Sequence, residues 1–318
     1  KNLVQRFFMK NKGIVAIQSD PIKTLNFKTD TTILLASEAQ RRGFKIFFYE
    51  VENLNSINGI LFATGKFIKL DFKKNIFIKL KKTKINLIKS KYILIRQNPP
   101  FNIKYITALY LLENISKYVK IINSPISVRN VHEKLFSLKF IQFMPDTIFT
   151  ENISDINNFL KKHKNVVLKA THGYGGNQIK LINKKTSKLL ISNFIKKHNH
   201  VMVQKYIKEI KKGDKRIFII NGKIKGVIKR VPKTNSFLSN MSQGGKAYLT
   251  TLSKKDLYIS NLIAKDLKKK GIYFCGLDLI GNYLSGDINV TSPTGLTTYR
   301  DLSGVDLSVY FWNNLEKK

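Results

Sequence analysis

The chain of 318 residues carries 57 Lys and Arg residues against 20 Asp and Glu residues, a formal net charge of +37, and 43% of its residues are hydrophobic. This length suits two domains, and the apolar content is sufficient for a core, which excludes a wholly disordered chain. No apolar run approaches the roughly 20 residues of a membrane span, and the basic N-terminal stretch lacks the long apolar segment of a signal peptide.

The first residues and the cysteine content bear on cellular location. Met9 stands directly ahead of the first strand-like run, which leaves open that residues 1–8 lie upstream of the native start. Cys275 is the single cysteine, so an internal disulfide is excluded and a reducing cytoplasm is favoured. Its apolar neighbours predict a small core residue.

The positive charge has two interpretations. It can attract nucleic acid or an anionic membrane. Alternatively it reflects compositional drift, because lysines are dispersed along a chain rich in Lys, Ile and Asn, and the densest basic segment, 73–91, alternates them with aliphatic residues. We favour drift, which would still draw in anionic small molecules. A basic nucleic-acid-binding protein remains the alternative from a different class.

The first third of the chain alternates strand-like and helical segments. Short apolar runs bounded by turn residues predict strands, and apolar residues at helical spacing predict helices. Such alternation predicts a parallel sheet with helices on its faces, followed by a domain boundary near Pro125. The predicted elements are a strand at 13–18, a helix from the Asp30 cap to Gly43, strands at 45–50 and 91–97, and a helix at 103–117.

Beyond Pro125 hairpins replace this alternation. Asn221-Gly222 marks the turn of one hairpin, and in another a short polar turn separates the runs GLDLIG and DINV. The predicted elements are strands at 165–170, 178–182 and 201–207, a hairpin at 216–231, a polar loop at 232–248, a helix at 254–270 and a hairpin at 276–290.

HGYGGNQ at 172–178 is a glycine-rich loop between two predicted strands. It matches neither the Walker pattern nor the GxGxxG pattern, since no GxxxxGK[ST] is present and a strand rather than a helix follows. Its backbone N–H groups can instead fold over nucleotide phosphates, with Lys169 at the end of the incoming strand within reach. An ordinary tight turn is the alternative.

Acidic residues on the last hairpin indicate a metal site. Asp287 and Asn289 are two apart on one strand, so their side chains share a face, and Asp278 on the partner strand can face the same way. Two carboxylates and an amide oxygen suit Mg²⁺ shared with nucleotide phosphates. A solvated surface hairpin is the alternative.

Two arginines stand out because lysine fills most other cationic positions. Arg216 and Arg230 lie on the two strands of the hairpin at 216–231. A planar guanidinium can bind a carboxylate or phosphate through two bonds, or stabilise an oxyanion. Surface ion pairs are the alternative, which the shortage of acidic partners weakens.

The chain also carries, in this order, DPIKTLNFKTDTT (20–32), EAQRRG (38–43), RQNPPFN (96–102), INSPISVRNVHEKLF (122–136), LKATHGYGG (168–176), GDKR (213–216), RVP (230–232) and DINVTSPTG (287–295). This series resembles the bacterial glutathione synthetases, which are ATP-grasp ligases. NVTSPTG and EAQRRG are specific motifs, whereas the glycine loop is generic. The resemblance implies an α/β fold with an N-terminal parallel-sheet pre-ATP-grasp domain at 1–124. An ATP-grasp domain at 125–318 would follow, with a small lid subdomain at about 130–202.

The resemblance implies roles for individual positions. Residues at its ATP-binding positions are Lys134, Lys169, Gly173, Gly175, Gly176, Asp214 at the ribose, Asn289, and the hinge residues Gln204, Lys205, Tyr206 and Ile207. Residues at its Mg²⁺ positions are Asp278, Asp287 and Asn289. Arg216 and Arg230 would stabilise the charged intermediate, Arg96 would bind a peptide carboxylate, and the loop at Gly244 and Gly245 would close over the acceptor.

The implied reaction is ATP-driven amide formation. The cysteinyl carboxylate of γ-glutamylcysteine would form an acyl phosphate, from which the amine of glycine displaces phosphate to give glutathione. The implied cofactors are ATP and Mg²⁺, with Mn²⁺ as an alternative. The resemblance further implies a cytoplasmic homo-oligomer without a membrane or nucleic-acid partner. Another ATP-grasp carboxylate–amine ligase acting on a different peptide, or a variant of reduced activity, remains open.

Several positions depart from the family pattern. Asp287 stands where Glu is usual, with Gly286 inserted before it, and His172 replaces an Asp of the glycine loop. Other departures are Asn98 and Asn102, where DPPFD is common, and Leu238, where Arg is frequent. The lost carboxylates near Arg96 bear on peptide recognition more than on ATP binding.

Overall fold

The computed structural model describes residues 12–71, 74–176, 178–234 and 236–317. The hypothesis about residues 1–8 lies outside this part of the chain, as does Asn177 of the glycine loop. No helix among the described residues is long and apolar enough to cross a membrane. The described strands form three sheets, which follow one another along the chain.

The N-terminal sheet is mixed. Its parallel part has the order β2-β1-β6-β7, and β3 and β4 extend it antiparallel beside β2, with β5 paired to β4. The strands are β1 (Ile14–Gln18), β2 (Lys45–Tyr49), β3 (Leu54–Ile57), β4 (Ile60–Asp71), β5 (Ile76–Asn86), β6 (Tyr92–Ile95) and β7 (Lys120–Ile122). The predicted parallel sheet is therefore confirmed for four strands, but the prediction missed the ribbon β3–β4–β5. Its outer strand β5 alternates lysines with aliphatic residues because it lies at the exposed edge of the sheet.

Three helices belong to this first part of the chain: α1 (Thr31–Arg41), α2 (Ile103–Glu113) and α3 (Pro125–Asn130). The predicted cap of α1 is confirmed, since the Asp30 carboxylate accepts the Thr32 N–H at 2.6 Å. The helix α2 ends at Glu113, four residues before the predicted end at Lys117. Asn102 caps α2 by accepting the Tyr105 N–H at 3.1 Å.

The second sheet, hereafter the lid sheet, is antiparallel with the order β10-β9-β11-β8. Its strands are β8 (Thr147–Thr150), β9 (Asn165–Ala170), β10 (Ile179–Asn183) and β11 (Val201–Lys205), and its helices are α4 (Ile153–His163) and α5 (Lys188–His198). Apolar residues of both helices and the strands form a core of their own. A separate core is what a small subdomain requires.

The third sheet is antiparallel with the order β14-β13-β12-β15-β16. Its strands are β12 (Asp214–Ile220), β13 (Lys223–Val231), β14 (Lys246–Leu249), β15 (Phe274–Ile280) and β16 (Tyr283–Asn289), and α6 (Lys254–Lys269) packs on it. The Asn221-Gly222 turn is confirmed, with positive φ at both residues. Two predictions were incomplete: β14 lies within the predicted polar loop, and the last hairpin turns tightly at Gly281-Asn282 because β16 begins at Tyr283.

The C-terminal helices return to the N-terminal sheet. These are α7 (Leu296–Ser303) and α8 (Leu307–Glu316). Trp312 of α8 is fully buried, stacks on Phe44 and donates its indole N–H to the Leu35 carbonyl at 2.9 Å. One core cluster thus joins α1, α8 and the faces of the first and third sheets. These contacts hold α8 against the N-terminal sheet.

Candidate active site

A solvent-open cleft of about 840 Å³ lies between the lid sheet and the third sheet. The lining residues that the sequence had singled out are Lys134, Lys169, Gly173, Gly176, Gln204, Lys205, Tyr206, Ile207, Asp214, Arg230, Asp278, Asp287 and Asn289. The structure therefore brings most of the predicted nucleotide and metal residues to one place.

Two lysines from different elements meet at one carboxylate in this cleft. Lys134 Nζ lies 3.3 Å from one oxygen of Asp287, and Lys169 Nζ lies 3.7 Å from the other. Lys169 also donates to the Ser285 carbonyl at 2.7 Å. Burial alone would raise the pKa of Asp287, but the two ammonium groups lower it below its usual value. The carboxylate therefore stays ionised between the two lysines.

A β-bulge presents Asp287 to the cleft. Leu277 pairs with Ile288 and Leu279 pairs with Leu284, so residues 285–287 lie opposite the single residue Asp278. Gly286 has φ +92°, and a Cβ there would lie 2.7 Å from Met202 Cε. Only glycine fits such a position without displacing its neighbours. The inserted Gly286 is thus the residue that allows the bulge.

Behind the lysines lies a chain of buried ion pairs. Asp278 accepts two bonds from Arg216, at 2.5 and 2.8 Å, and its Oδ2 lies 3.0 Å from Arg230 Nη2. Arg230 in turn donates from Nε to Asp214 Oδ1 at 2.8 Å and from Nη2 to Asp214 Oδ2. All four side chains are at most 7% exposed. The surface ion pairs considered for the two arginines are therefore wrong, because both pairs are buried.

These arginines keep Asp278 charged. Burial by itself would raise the pKa of Asp278, but Arg216 and then Arg230 outweigh it and lower the pKa to about 2. Asn289 adds a contact, with its Nδ2 3.3 Å from Asp278 Oδ2. Two ionised carboxylates and an amide line the same cleft, which fits a hard divalent cation completed by phosphate oxygens. Within the described residues, no group of three or more His, Cys, Asp or Glu could hold a metal alone.

The glycine loop forms one wall of the cleft. Lys134 Nζ donates to the Gly173 carbonyl, and Gln243 Nε2 donates to the Gly175 carbonyl at 3.3 Å. Gly176 has φ +79°, and a Cβ there would lie 2.8 Å from Asn240 Oδ1. The loop thus touches both the segment before the lid sheet and the polar loop after β13. Gly175 does not line the cleft itself, but it lies between residues of the loop that contact the cleft wall.

The hinge segment and the polar loop complete the cleft. Gln204 of β11 is buried and donates to Thr147 Oγ1 at 3.0 Å, so its side chain secures the lid sheet while Tyr206 and Ile207 face the cleft. The cleft also contains side chains that the sequence did not single out as site residues, and only the polar composition of the loop signalled some of them. Among these are Phe237, Ser239, Asn240 and Ser285.

Three predicted substrate residues lie outside this cleft. Arg96 is buried in a small neighbouring cavity, where it donates to Thr32 Oγ1 at 3.2 Å and to the Pro293 carbonyl at 3.0 Å. Its Nη1 has no hydrogen-bond partner among the described residues. Gly244 and Gly245 form a backbone turn behind the cleft, with a Gly245 Cβ position only 2.2 Å from the Ser239 carbonyl oxygen. Leu238, beside this turn, does line the cleft.

Two antiparallel sheets that face each other across a cleft lined by paired lysines and carboxylates are the arrangement of the ATP-grasp ligases. Solved structures share this fold at low sequence identity. D-cycloserine synthetase DcsG matches with a TM-score of 0.68 and 12% identity over 95% of this chain and 98% of its own. D-alanyl-alanine synthetase A from Vibrio cholerae matches with a TM-score of 0.59 and 12% identity, over 94% and 96% of the two chains.

Sequence comparison gives the family. The family model for the prokaryotic glutathione synthetase N-terminal domain matches residues 14–129, and the model for its ATP-grasp domain matches residues 133–304. Glutathione synthetase of Agrobacterium fabrum is 35% identical over 96% of both chains, and that of Buchnera aphidicola subsp. Baizongia pistaciae is 37% identical over the same shares. The chain therefore belongs to the prokaryotic glutathione synthetase family.

The family confirms the predicted fold class and function. The protein is an ATP-dependent ligase of glutathione biosynthesis, and the family uses ATP with a divalent metal ion on small-molecule or peptide substrates. This result favours the ligase hypothesis over the nucleic-acid hypothesis. The domain boundaries and the roles of individual residues stay predictions.

Proposed function

We propose that the cleft binds ATP and uses it to join γ-glutamylcysteine to glycine. The observation that carries this proposal is the convergence of Lys134 and Lys169 on Asp287, beside the pairing of Arg216 and Arg230 with Asp278. The buried cations Lys134, Lys169 and Arg230 line the cleft and suit a triphosphate, and two ionised carboxylates suit its metal ion. Arg216 does not line the cleft but adjoins it through Asp278. With domains at 1–124 and 125–318, the lid subdomain at about 130–202 within the second domain would enclose the nucleotide.

Nucleotide recognition is assigned by position in the cleft. Lys134 and Lys169 would contact phosphate oxygens, and the glycine loop would cover them with backbone N–H groups. The hinge at 204–207 would take the adenine. Asp214 has both carboxylate oxygens bonded to Arg230, which supports a role in orienting this arginine beside the predicted contact to the ribose.

Asp278, Asp287 and Asn289 would hold the metal ion, which we propose to be Mg²⁺ rather than Mn²⁺. The bound ion would neutralise the charge of the transferring phosphoryl group. The protein supplies fixed cations that need no reorganisation, because Arg216 and Arg230 are already locked by buried carboxylates. These arginines would stabilise the negative charge of the intermediate.

The reaction balances in two steps. An oxygen of the cysteinyl carboxylate forms a bond to the γ-phosphorus of ATP. The bond between the γ-phosphorus and the bridging oxygen breaks, so ADP leaves and an acyl phosphate remains. The neutral amine of glycine then forms the C–N bond, the acyl C–O bond breaks, and phosphate leaves while the amine loses a proton. Closure of the lid would keep water from the acyl phosphate.

Arg96 marks the proposed site of a substrate carboxylate. Its buried Nη1 lacks a partner, and an unpaired buried guanidinium N–H is costly unless a ligand supplies the acceptor. Small cavities connect it toward the cleft: Thr291 lines both the Arg96 cavity and a second cavity, which shares Gly173 and Tyr174 with the cleft. Gly244 and Gly245 would shape the loop that closes over glycine.

Two departures from the family pattern leave this proposal intact. Asn102 caps α2, a position at which Asn and Asp serve equally well. Asn98 accepts a hydrogen bond from Ser292 at 2.7 Å, so it orders the SPTG segment with an amide. An amide at these two positions therefore fills a structural role that a carboxylate could also fill. We also propose that the protein is a cytoplasmic homo-oligomer. The family resemblance supports the oligomer, and the content of a single cysteine, Cys275, fits a reducing compartment.

Release of ADP in a coupled assay tests the proposal. We expect strong stimulation when γ-glutamylcysteine and glycine are present together with Mg²⁺ and ATP, and weak stimulation with other acid–amine pairs. A preference for another pair would favour an ATP-grasp ligase with a different peptide substrate. No nucleotide turnover with any pair would overturn the proposed use of the cleft.

A further inference from the structure

Two histidines meet at the base of the glycine loop. His132 Nε2 lies 3.0 Å from His172 Nδ1, with the rings nearly perpendicular. His132 stands two residues before Lys134, and His172 immediately precedes Gly173. Since Lys134 Nζ also donates to the Gly173 carbonyl, the two neighbouring segments are joined twice.

The hydrogen bonds define the tautomers. The backbone N–H groups of Lys134 and Leu135 both donate to His132 Nδ1, at 3.3 Å. The Nδ1 atom is therefore an acceptor, the proton of the neutral ring sits on Nε2, and His132 donates to His172 Nδ1. His172 must then carry its own proton on Nε2. Only two neutral imidazoles satisfy all of these bonds.

We propose that His132 and His172 form a latch that holds the glycine loop and Lys134 in place for ATP, and that protonation releases it. This inference rests on the proposed ATP site. The two histidines are positioning residues that act through Lys134 and the loop. A proton on His172 Nδ1 would face the His132 N–H, and a proton on His132 Nδ1 would face two backbone N–H groups. Either protonation removes an acceptor from the latch.

The surroundings favour the neutral rings. Burial, then the charge of His172 and the Lys134 ammonium, lower the pKa of His132 to about 4. Burial and then Lys134 lower the pKa of His172. Glu133 and Tyr174 line the same small cavity, but the Glu133 carboxylate accepts from Thr291 Oγ1 at 2.8 Å. Phe101 packs edge-on against His132.

The sign of the pH effect follows from these directions. A histidine in an open loop has a pKa near 6.5, and in the closed latch its pKa is lower. Closure is therefore fully favoured above about pH 6.5, and it weakens as the pH falls below that value. For one imidazole the closure constant falls up to about tenfold for each pH unit below 6.5.

The test uses the full chain and the non-hydrolysable analogue AMP-PNP with Mg²⁺. Its dissociation constant is measured at pH 7.5 and 5.5 for the wild type, His132→Phe, His172→Phe and the double variant. At pH 7.5 His172→Phe is expected to weaken binding about fivefold, the loss of one neutral hydrogen bond. His132→Phe also loses the two backbone bonds to Nδ1, so it should weaken binding at least as much, and the double variant no more than His132→Phe. His172→Asn, which keeps an acceptor, should recover part of the loss. His198→Gln, outside the cleft, is the matched control.

The pH comparison separates the effect of the latch on affinity from the effect of protonating the nucleotide, because nucleotide protonation changes the affinity of all variants alike. Wild-type affinity should fall more steeply from pH 7.5 to 5.5 than that of the double variant. The protection factors of the amide hydrogens at residues 172–176, which correct for the intrinsic pH dependence of exchange, should fall in step. Additive single effects, or parallel pH profiles, would overturn the latch. Failure of the wild type to bind AMP-PNP at all would instead overturn the proposed ATP site.

Discussion

Replacing Asp278 by Asn tests the buried ion-pair chain. Asp214 and Asp278 carry two negative charges, and Arg216 and Arg230 carry two positive charges, so the buried group is balanced. The variant keeps the side-chain shape but leaves one positive charge uncompensated. Breaking a buried pair in this way costs about 3–5 kcal/mol, and the retained amide oxygen places the expected loss near 3 kcal/mol. The midpoint of thermal unfolding should fall by about 4–5 °C for a chain of 318 residues.

The measurement is thermal unfolding followed by circular dichroism at pH 7.5. Asp301→Asn is the matched control, since it removes an exposed pair with Arg300 and should change stability by no more than about 0.5 kcal/mol. The double variant Asp278→Asn/Arg216→Met should recover part of the loss, because it removes the uncompensated cation. A midpoint for Asp278→Asn equal to that of the control would refute the reasoning.

The Asp278 carboxylate should also account for part of the loss of folding stability in acid. The pKa of Asp278 is lowered from 3.8 to about 2 in the fold, so its stabilisation is present above pH 3.8 and is lost as pH falls towards 2. This difference corresponds to about 2 kcal/mol. In urea titrations between pH 4 and pH 2, the wild type should lose that much more stability than Asp278→Asn. Equal slopes for the two proteins would contradict the assignment.

Three further predictions concern the cleft and the core. Gly286→Ala should destabilise the protein by about 1–3 kcal/mol in urea unfolding, because φ is positive and the new methyl group meets Met202. The control Gly304→Ala, with open space around it, should cost less. Equal losses for the two variants would count against the bulge. Lys169→Met should raise the KM for ATP at least tenfold with γ-glutamylcysteine and glycine saturating, and an unchanged KM would remove its phosphate role. Cys275 should react with a thiol reagent only after unfolding, since it is fully buried and burial raises the pKa of its thiol; rapid labelling of the native protein would exclude this environment.

Much of the fold was readable in the sequence because local patterns and global packing agree. The apolar runs of β1, β2 and β6, the Asp30 cap and the Asn221-Gly222 turn are local signals, and each is confirmed. The ribbon β3–β4–β5 was missed because its lysine-rich strand β5 has a polar composition that resembles a surface segment.

Part of the candidate site was also predicted, from sequence motifs and not from local secondary-structure patterns. Motif order and the resemblance pointed to Lys134, Lys169, Asp278 and Asp287, and the structure brings all four to one cleft. What the sequence could not give is the pairing, since Lys134, Lys169 and Asp287 are far apart along the chain and meet only when the lid sheet packs over the third sheet.

The sequence by itself determined the family, the ligase chemistry and most of the strands, because motifs and periodicity are encoded locally. Only the tertiary structure decided which charges face one another. It turned two isolated arginines into a buried chain with Asp214 and Asp278, and it made His172 the partner of His132. The physical reason is that electrostatic energies depend on distance and burial, which sequence spacing does not specify.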